Sequence, residues 1–426
     1  MHTSNLQASR KTKKTPVGDI PVDWGCCRLS EVVQQLESGV SVGGEDRSPA
    51  PDEVGVLKVS AVTSGKFLPS EAKAVICKKM EQLQTRVETD SILVNRANGS
   101  PDLVGSAVYV ASTHSNLFLS DKLWQIRPLS DRVLGRYLGF VLSAPAFQRR
   151  VLERSSGGTG MLNISSGSYL SIPVAVPPLD EQQKIVQILS VLDEALARLV
   201  EFAAATGERK RGLMQQLLTG RTRFKEFKGE RWRTFRLGDL LEEVDRYVTF
   251  DDERTYKLAS IRRRSEGFFL RGALQGKDIK TKVMKTIRAG DFLLSKMQVV
   301  HGAWGLVTPE FDGMFVSDSY IALVPRDGSA LKIEFLNYLS RMPLMRHLAY
   351  ICSHGVHIEK MTFKLDDFLH EKITIPTTIE EQRNIVGVLS TCDRNIELLQ
   401  KQLNALKEQK RGLMQKLLTG EVRVKV

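Results

Sequence analysis

Apolar positions along this 426-residue chain fall into two kinds of pattern, and each kind occurs twice. The longer is a helical stripe. Between residues 181 and 220, Ile185, Leu189, Leu192, Leu196, Leu199, Ala203, Thr206, Lys210, Leu213 and Leu217 recur at spacings of four and three. Between residues 381 and 420 the register returns in Ile385, Leu389, Cys392, Ile396, Leu399, Leu403, Leu406, Lys410, Leu413 and Leu417. A 4-3 alternation held over about five heptads predicts a coiled-coil seam rather than the broad apolar face of a core helix. About 39 residues rising 1.5 Å each predict a rod of roughly 58 Å. Thr378-x-x-Glu381 has the form of a capping box and Asp180-x-x-Gln183 a variant of it. Gly220 and Gly420 fit the position just past a helix end. Thr206-Gly207 predicts a local kink, because a helical glycine costs about 1 kcal/mol.

The shorter pattern lies in the segments preceding each helix. Short β-branched runs at 54–62, 106–110, 117–126, 314–323 and 373–375 predict strands. Gly/Ser-rich loops such as 155–160 separate them. Helical stretches are expected at 134–143, 145–154, 331–340 and 343–351. Each segment therefore reads as a mixed α/β unit.

The two halves are a duplication. Lys-Arg-Gly-Leu-Met-Gln-x-Leu-Leu-Thr-Gly occurs at 210–220 and again at 410–420. Aligned without a gap, 181–220 and 381–420 share 20 of 40 residues. Trp24 and Leu29 open the first unit as Trp232 and Leu237 open the second. The second helix can thus return antiparallel on the first and satisfy its stripe. A coiled coil needs only the stripe, however. Identity off it, at Arg211, Met214, Gln215 and Leu218 and at Arg411, Met414 and Gln415, suggests a second surface met twice by one partner. The expected boundaries are a flexible basic tail at 1–14, globular units at 15–180 and 223–379, and long helices at 181–222 and 380–422.

Composition narrows the function classes. Net charge is +12, with 61 basic and 49 acidic residues, which favours a polyanionic or acidic partner. Seven basic residues stand against two acidic ones at 221–236, and Arg262-Arg263-Arg264 forms another cluster. No apolar run is long enough for a membrane span. Five cysteines without a CxxC pair suggest a reducing cytoplasm. There is no phosphate-binding GxxxxGK[ST], no dinucleotide fingerprint, no HExxH and no Asn/Asp-Pro-Pro-aromatic tetrapeptide. Cys352, His354 and His357 lack a fourth ligand, so no metal is expected. The chain reads as a binding and assembly protein with no catalytic residues.

These features resemble one family. Two variable α/β domains, each followed by a Pro-led Glu-Gln helix start (Pro177-Pro178-Leu179-Asp180-Glu181-Gln182; Pro376-Thr377-Thr378-Ile379-Glu380-Glu381-Gln382) and the repeated helix end, are similar to the specificity subunit of type I restriction-modification systems. The second junction has one more residue between Pro and Glu-Gln. The resemblance implies two pseudo-symmetric target recognition domains joined by a long antiparallel two-helix coiled coil. Each domain would read one half of a bipartite, asymmetric double-stranded DNA target. It also implies two methyltransferase subunits and, optionally, two restriction subunits as partners, which would carry S-adenosylmethionine, ATP and magnesium. Half-sites one helical turn apart lie ~34 Å from centre to centre, within reach of such a rod. The competing expectation is a coiled-coil scaffold that reads no DNA.

Base and phosphate contacts need Arg, Lys, Asn or Gln on loops that face a groove. The candidates are Lys58, Arg96, Asn98 and Thr159 in the first unit, and Arg262, Arg263, Lys296, Gln298 and His301 in the second.

Overall fold

A computed structural model of the chain describes residues 6–8, 11–75, 77–158 and 160–425. They divide into two compact units, residues 1–199 with 402–426, and residues 200–401.

In unit 1 a four-stranded antiparallel sheet runs in the order Ala107–Tyr109, Ile92–Asn95, Leu123–Pro128, Val33–Ser38. A second sheet has the order Leu117–Phe118, Gly55–Leu57, Ala72–Val75, Gly44–Glu45, with only its first pair parallel. The strand Ile92–Asn95 is buried at every position, which explains its unbroken apolar run. Its alternation divides two cores. Ile92 and Val94 join the helices at Gly135–Ser143 and Pro145–Glu153, while Leu93 joins Leu57, Leu117 and Leu123.

Unit 2 repeats the plan. Its first sheet runs Leu241–Glu243, Tyr320–Pro325, Phe292–Ser295, Trp304–Leu306. The second runs Phe268–Gln275, Thr255–Ile261, Phe315–Ser317, Met284–Thr286, and again a single pair is parallel. Phe292 and Leu294 face one core and Leu293 the other, as their counterparts do in unit 1.

The long helices span Leu179–Leu217 and Ile379–Thr419. In unit 1, Ile185 and Leu189 of the first share a core with Met414, Leu417 and Leu418 of the second. Lys410 Nζ lies 2.5 Å from Asp193 Oδ1, and Arg423, just beyond the second helix, reaches back to Glu181. In unit 2, Met214, Leu217 and Leu218 share a core with Ile385 and Leu389. Lys210 pairs with Asp393 and Arg223 with Glu381. Within either unit, partners on one segment rise in number as those on the other fall, so the segments are antiparallel. The expected seam residues, from Ile185 through Leu217 and Ile385 through Leu417, are buried or half-buried throughout. Lys210 and Lys410 interrupt the apolar stripe, and their fixed aspartates set its register.

The helix starts differ from expectation. Neither capping box forms: Asp180 already lies inside the helix that begins at Leu179, and Thr378 Oγ1 is buried without a hydrogen-bond partner while Glu381 is committed elsewhere, as is Glu181. Glu181, 1% exposed, accepts from Trp24 Nε1 at 2.9 Å and from Arg423 Nε and Nη2 at 2.8 and 2.7 Å. Glu381 accepts from Trp232 Nε1 at 3.2 Å and from Arg223 Nε and Nη2 at 2.8 and 2.6 Å. Gln182 Oε1 accepts from Leu134 N, and its Nε2 donates to the carbonyls of Arg132 and Pro177. Gln382 does the same with Lys332 N and the carbonyls of Ala330 and Pro376. The Glu-Gln doublet thus fastens each globular domain to its helices. Arg423 also grips Asp23 with both terminal nitrogens, a hydrogen bond that holds the Asp23 carboxyl below its ordinary range.

The helix ends agree with expectation: Gly220 and Gly420 have φ of +69° and +72°. A Cβ on Gly420 would stand 2.4 Å from Pro21 Cδ, so shape as well as backbone conformation requires glycine there.

The first helix is continuous through Gly207. Two local expectations are corrected. The run at 54–62 is a strand only at Gly55–Leu57 and then turns into the short helix Ser60–Thr63, because Ala61 and Val62 bury on a helical face. The expected tail is drawn into pairing: Leu6–Ala8 lies antiparallel to Val422–Val424, and Thr12–Thr15 to Gly18–Pro21. Backbone pairing needs no apolar side chains, so composition did not announce it. Among the described residues no helix is long and apolar enough to cross a membrane.

Candidate nucleic-acid interface

The described candidate residues sit at or just beyond strand ends, and several are topological equivalents. Lys58 directly follows Gly55–Leu57, as Arg262 follows Thr255–Ile261. Arg96 follows Ile92–Asn95, as Lys296 follows Phe292–Ser295. The backbones match as well. Arg96 N donates to Lys122 O at 3.0 Å and Arg96 O accepts from Ile164 N at 3.1 Å. Lys296 N donates to Ser319 O at 2.9 Å and Lys296 O accepts from Phe363 N at 2.9 Å.

In unit 1, Arg96 lies with its guanidinium 5.7 Å from the buried Trp124 ring. Asn98 Oδ1 caps the following turn by accepting from Ser100 N at 2.9 Å. The strand Ala97–Asn98 pairs with Leu162–Asn163, which brings Gly160 beside it, its carbonyl oxygen 3.2 Å from where a Cβ on Gly99 would stand. Gly157 is required there, since a Cβ would fall 2.1 Å from Met161 O. Thr159 lies outside the described residues. Lys58 does not join this group: its Nζ is 2.5 Å from Asp46 Oδ1, and that hydrogen bond raises its pKa.

In unit 2 the loops converge more fully. Arg263 Nη2 and His301 Nε2 approach the two oxygens of Glu359 at 3.1 and 3.3 Å. Glu359 comes from the loop that joins Ser353–His354 to Thr362–Phe363. Ser265 N donates to Gly302 O at 2.8 Å, and Trp304 Nε1 donates to Ser265 Oγ at 3.1 Å. Arg262 folds back, donating to Phe268 O at 3.1 Å and lying over the Phe269 ring. Gln298 accepts through its carbonyl from His301 N, while its own Oε1 is buried without a partner. Glu359 was not a candidate, because its contact with Arg263 spans 96 residues and no local pattern marks it.

The repeated helix-end residues divide. Met214 and Met414, expected at a partner surface, are each 9% exposed and buried in the cores of their own units. Their identity is explained by packing on the globular domains, as is that of Leu218. Arg211, Gln215, Arg411 and Gln415 are exposed. In unit 1, Arg411 and Gln415 line a groove of about 240 Å³ with Val17, Pro145, Phe147 and Arg149.

Comparison with known proteins decides the family. The type I restriction modification DNA specificity domain matches twice, over residues 21–201 and 229–408. The chain belongs to the type I restriction-modification specificity subunits. It is similar to a putative type I restriction enzyme MjaX specificity subunit from Methanocaldococcus jannaschii, at 24% identity over 97% of both chains. It is also similar to the EcoEI specificity subunit of Escherichia coli, at 31% identity over 42% of this chain; that match spans 31% of the EcoEI subunit. The fold is that of the type I restriction-modification system S subunit from M. genitalium, with a TM-score of 0.56 and 13% identity over 93% of this chain and 96% of that one. A specificity subunit is the non-catalytic, DNA-selecting component of its system.

Proposed function

We propose that the chain reads a bipartite, asymmetric DNA sequence, one half through each globular unit, with the shared long helices setting the interval between the halves. The observation that carries this reading is the equivalence of the loops after Leu57, after Asn95 and before Leu162 with those after Ile261, after Ser295 and before Thr362. One framework presents different side chains at the same places, as two unlike half-sites require. Phosphate contacts would come from lysines and arginines of these loops, and base contacts from polar side chains fixed by the turns.

Two methyltransferase subunits are the proposed partners, one against Arg211 and Gln215 and one against Arg411 and Gln415. Restriction subunits join where the system cleaves. S-adenosylmethionine, ATP and magnesium belong to those partners, and the assembly works in the cytoplasm. The test is selection from random duplex DNA by the assembled complex. A split, non-palindromic motif is the expected result. Absence of enrichment contradicts the reading and leaves a scaffold.

A further inference from the structure

Three consecutive arginines follow the strand Thr255–Ile261, and their side chains have different fates. Arg262 is spent on Phe268 O and the Phe269 ring. Arg263 is held by Glu359. Arg264 is exposed, and among the described residues its side chain has no hydrogen bond, ion pair or ring contact.

The backbone that carries it is fixed. Arg264 and Ser265 adopt left-handed conformations, with φ of +60° and +55°. Such conformations cost non-glycine residues energy and persist only where their surroundings enforce them. Here the surroundings are identifiable. Ser265 N donates to Gly302 O, and the fully buried Trp304 donates to Ser265 Oγ. Gly302, itself left-handed at φ +73°, packs so closely that a Cβ would stand 3.3 Å from Arg264 Cα. The loop that follows Ser295 thus clamps the arginine turn. Lys296 and His301 belong to that same loop.

Resting on the proposed two-domain reading, we propose that Arg264 is a specificity-determining residue of unit 2, donating its guanidinium fork to the O6 and N7 acceptors of a guanine in the major groove. Guanine recognition by arginine needs a free fork on a backbone that does not move, because the two hydrogen bonds fix both distance and plane. Arg262 and Arg263 lack the free fork. Lys296 is a point charge without the fork's planarity. Unit 1 has no counterpart: after Lys58 its chain enters the helix Ser60–Thr63. The guanine therefore belongs to one half-site alone.

The experiment compares wild type, Arg264→Ala and Arg264→Asn in the assembled complex by selection from random duplex DNA, followed by binding to matched and substituted duplexes across salt concentrations. Asparagine tolerates the left-handed conformation, so it keeps the turn while removing the fork. Both variants are expected to lose preference for guanine at one position of one half-site, by about 5- to 150-fold, while the other half-site persists. Equal weakening on every sequence, with the salt slope reduced by about 0.9, would make Arg264 a phosphate contact and overturn the assignment. An unchanged motif overturns it as well. A wild-type complex that selects no split motif removes the two-domain reading, and this assignment with it.

Discussion

The junction between globular domain and helices can be set beside the loops after the strands. At the junction, Trp24, Glu181 and Arg423 in unit 1 repeat as Trp232, Glu381 and Arg223 in unit 2, and Gln182 repeats as Gln382 with the same three kinds of backbone partner. At the loops, Lys58 on Asp46 corresponds to Arg262 on Phe269, and Arg96 over Trp124 to a Lys296 without that ring. Both regions are polar, yet only one has kept its residues. The difference follows from burial. A carboxylate taken out of water must keep its hydrogen-bond donors, or an uncompensated charge remains inside the protein. A loop side chain facing solvent carries no such constraint and is free to follow a ligand.

The largest expected effects are therefore at the junction and in the helix cores beside it. Glu181→Ala and Glu381→Ala should each destabilise the chain by about 3 kcal/mol, measured by urea unfolding, because a half-buried arginine and an indole N–H lose their acceptor. Similar costs in both units uphold the equivalence; a neutral result at one site breaks it. Leu189→Ala and Leu389→Ala, both fully buried, should cost about 2–5 kcal/mol. Smaller is the register contact. A double-mutant cycle on Asp193 and Lys410 should give a coupling of about 1 kcal/mol, since both partners keep some solvent access. At the loops, Arg263→Ala should leave stability unchanged and weaken DNA binding of the assembled complex, with the salt slope flattened by about 0.9. An unchanged slope would assign Arg263 to holding Glu359 alone.

The helices were legible because a 4-3 stripe and a doubled segment depend only on spacing and identity along the chain. Gly220 and Gly420 were legible for the same reason: a helix end needs a left-handed residue at one fixed place. The role of Glu181 and Glu381 was not. The capping-box spacing offered a local use for Glu381, and nothing near it in sequence shows that Arg223 and Trp232, 158 and 149 residues away, compete for it. Met214 and Met414 misled for a related reason. Identity off the stripe signals a second contact surface, but the sequence does not say whether that surface is another protein or the chain's own core. In the loops, residue type and Gly/Ser content named Arg96, Asn98, Arg263 and His301 as candidates but did not show which of them lie together. They did not separate Lys58, whose aspartate lies twelve residues upstream on a loop with no regular period.

On the proposed reading, a shared frame carries two independent readers. The most direct test alters one reader only: Arg96→Ala with Asn98→Ala, in the assembled complex, followed by determination of the selected DNA motif. One half-site is expected to lose definition while the other half-site and the interval between them stay as in wild type. Simultaneous loss of both halves, or loss of neither, contradicts that reading.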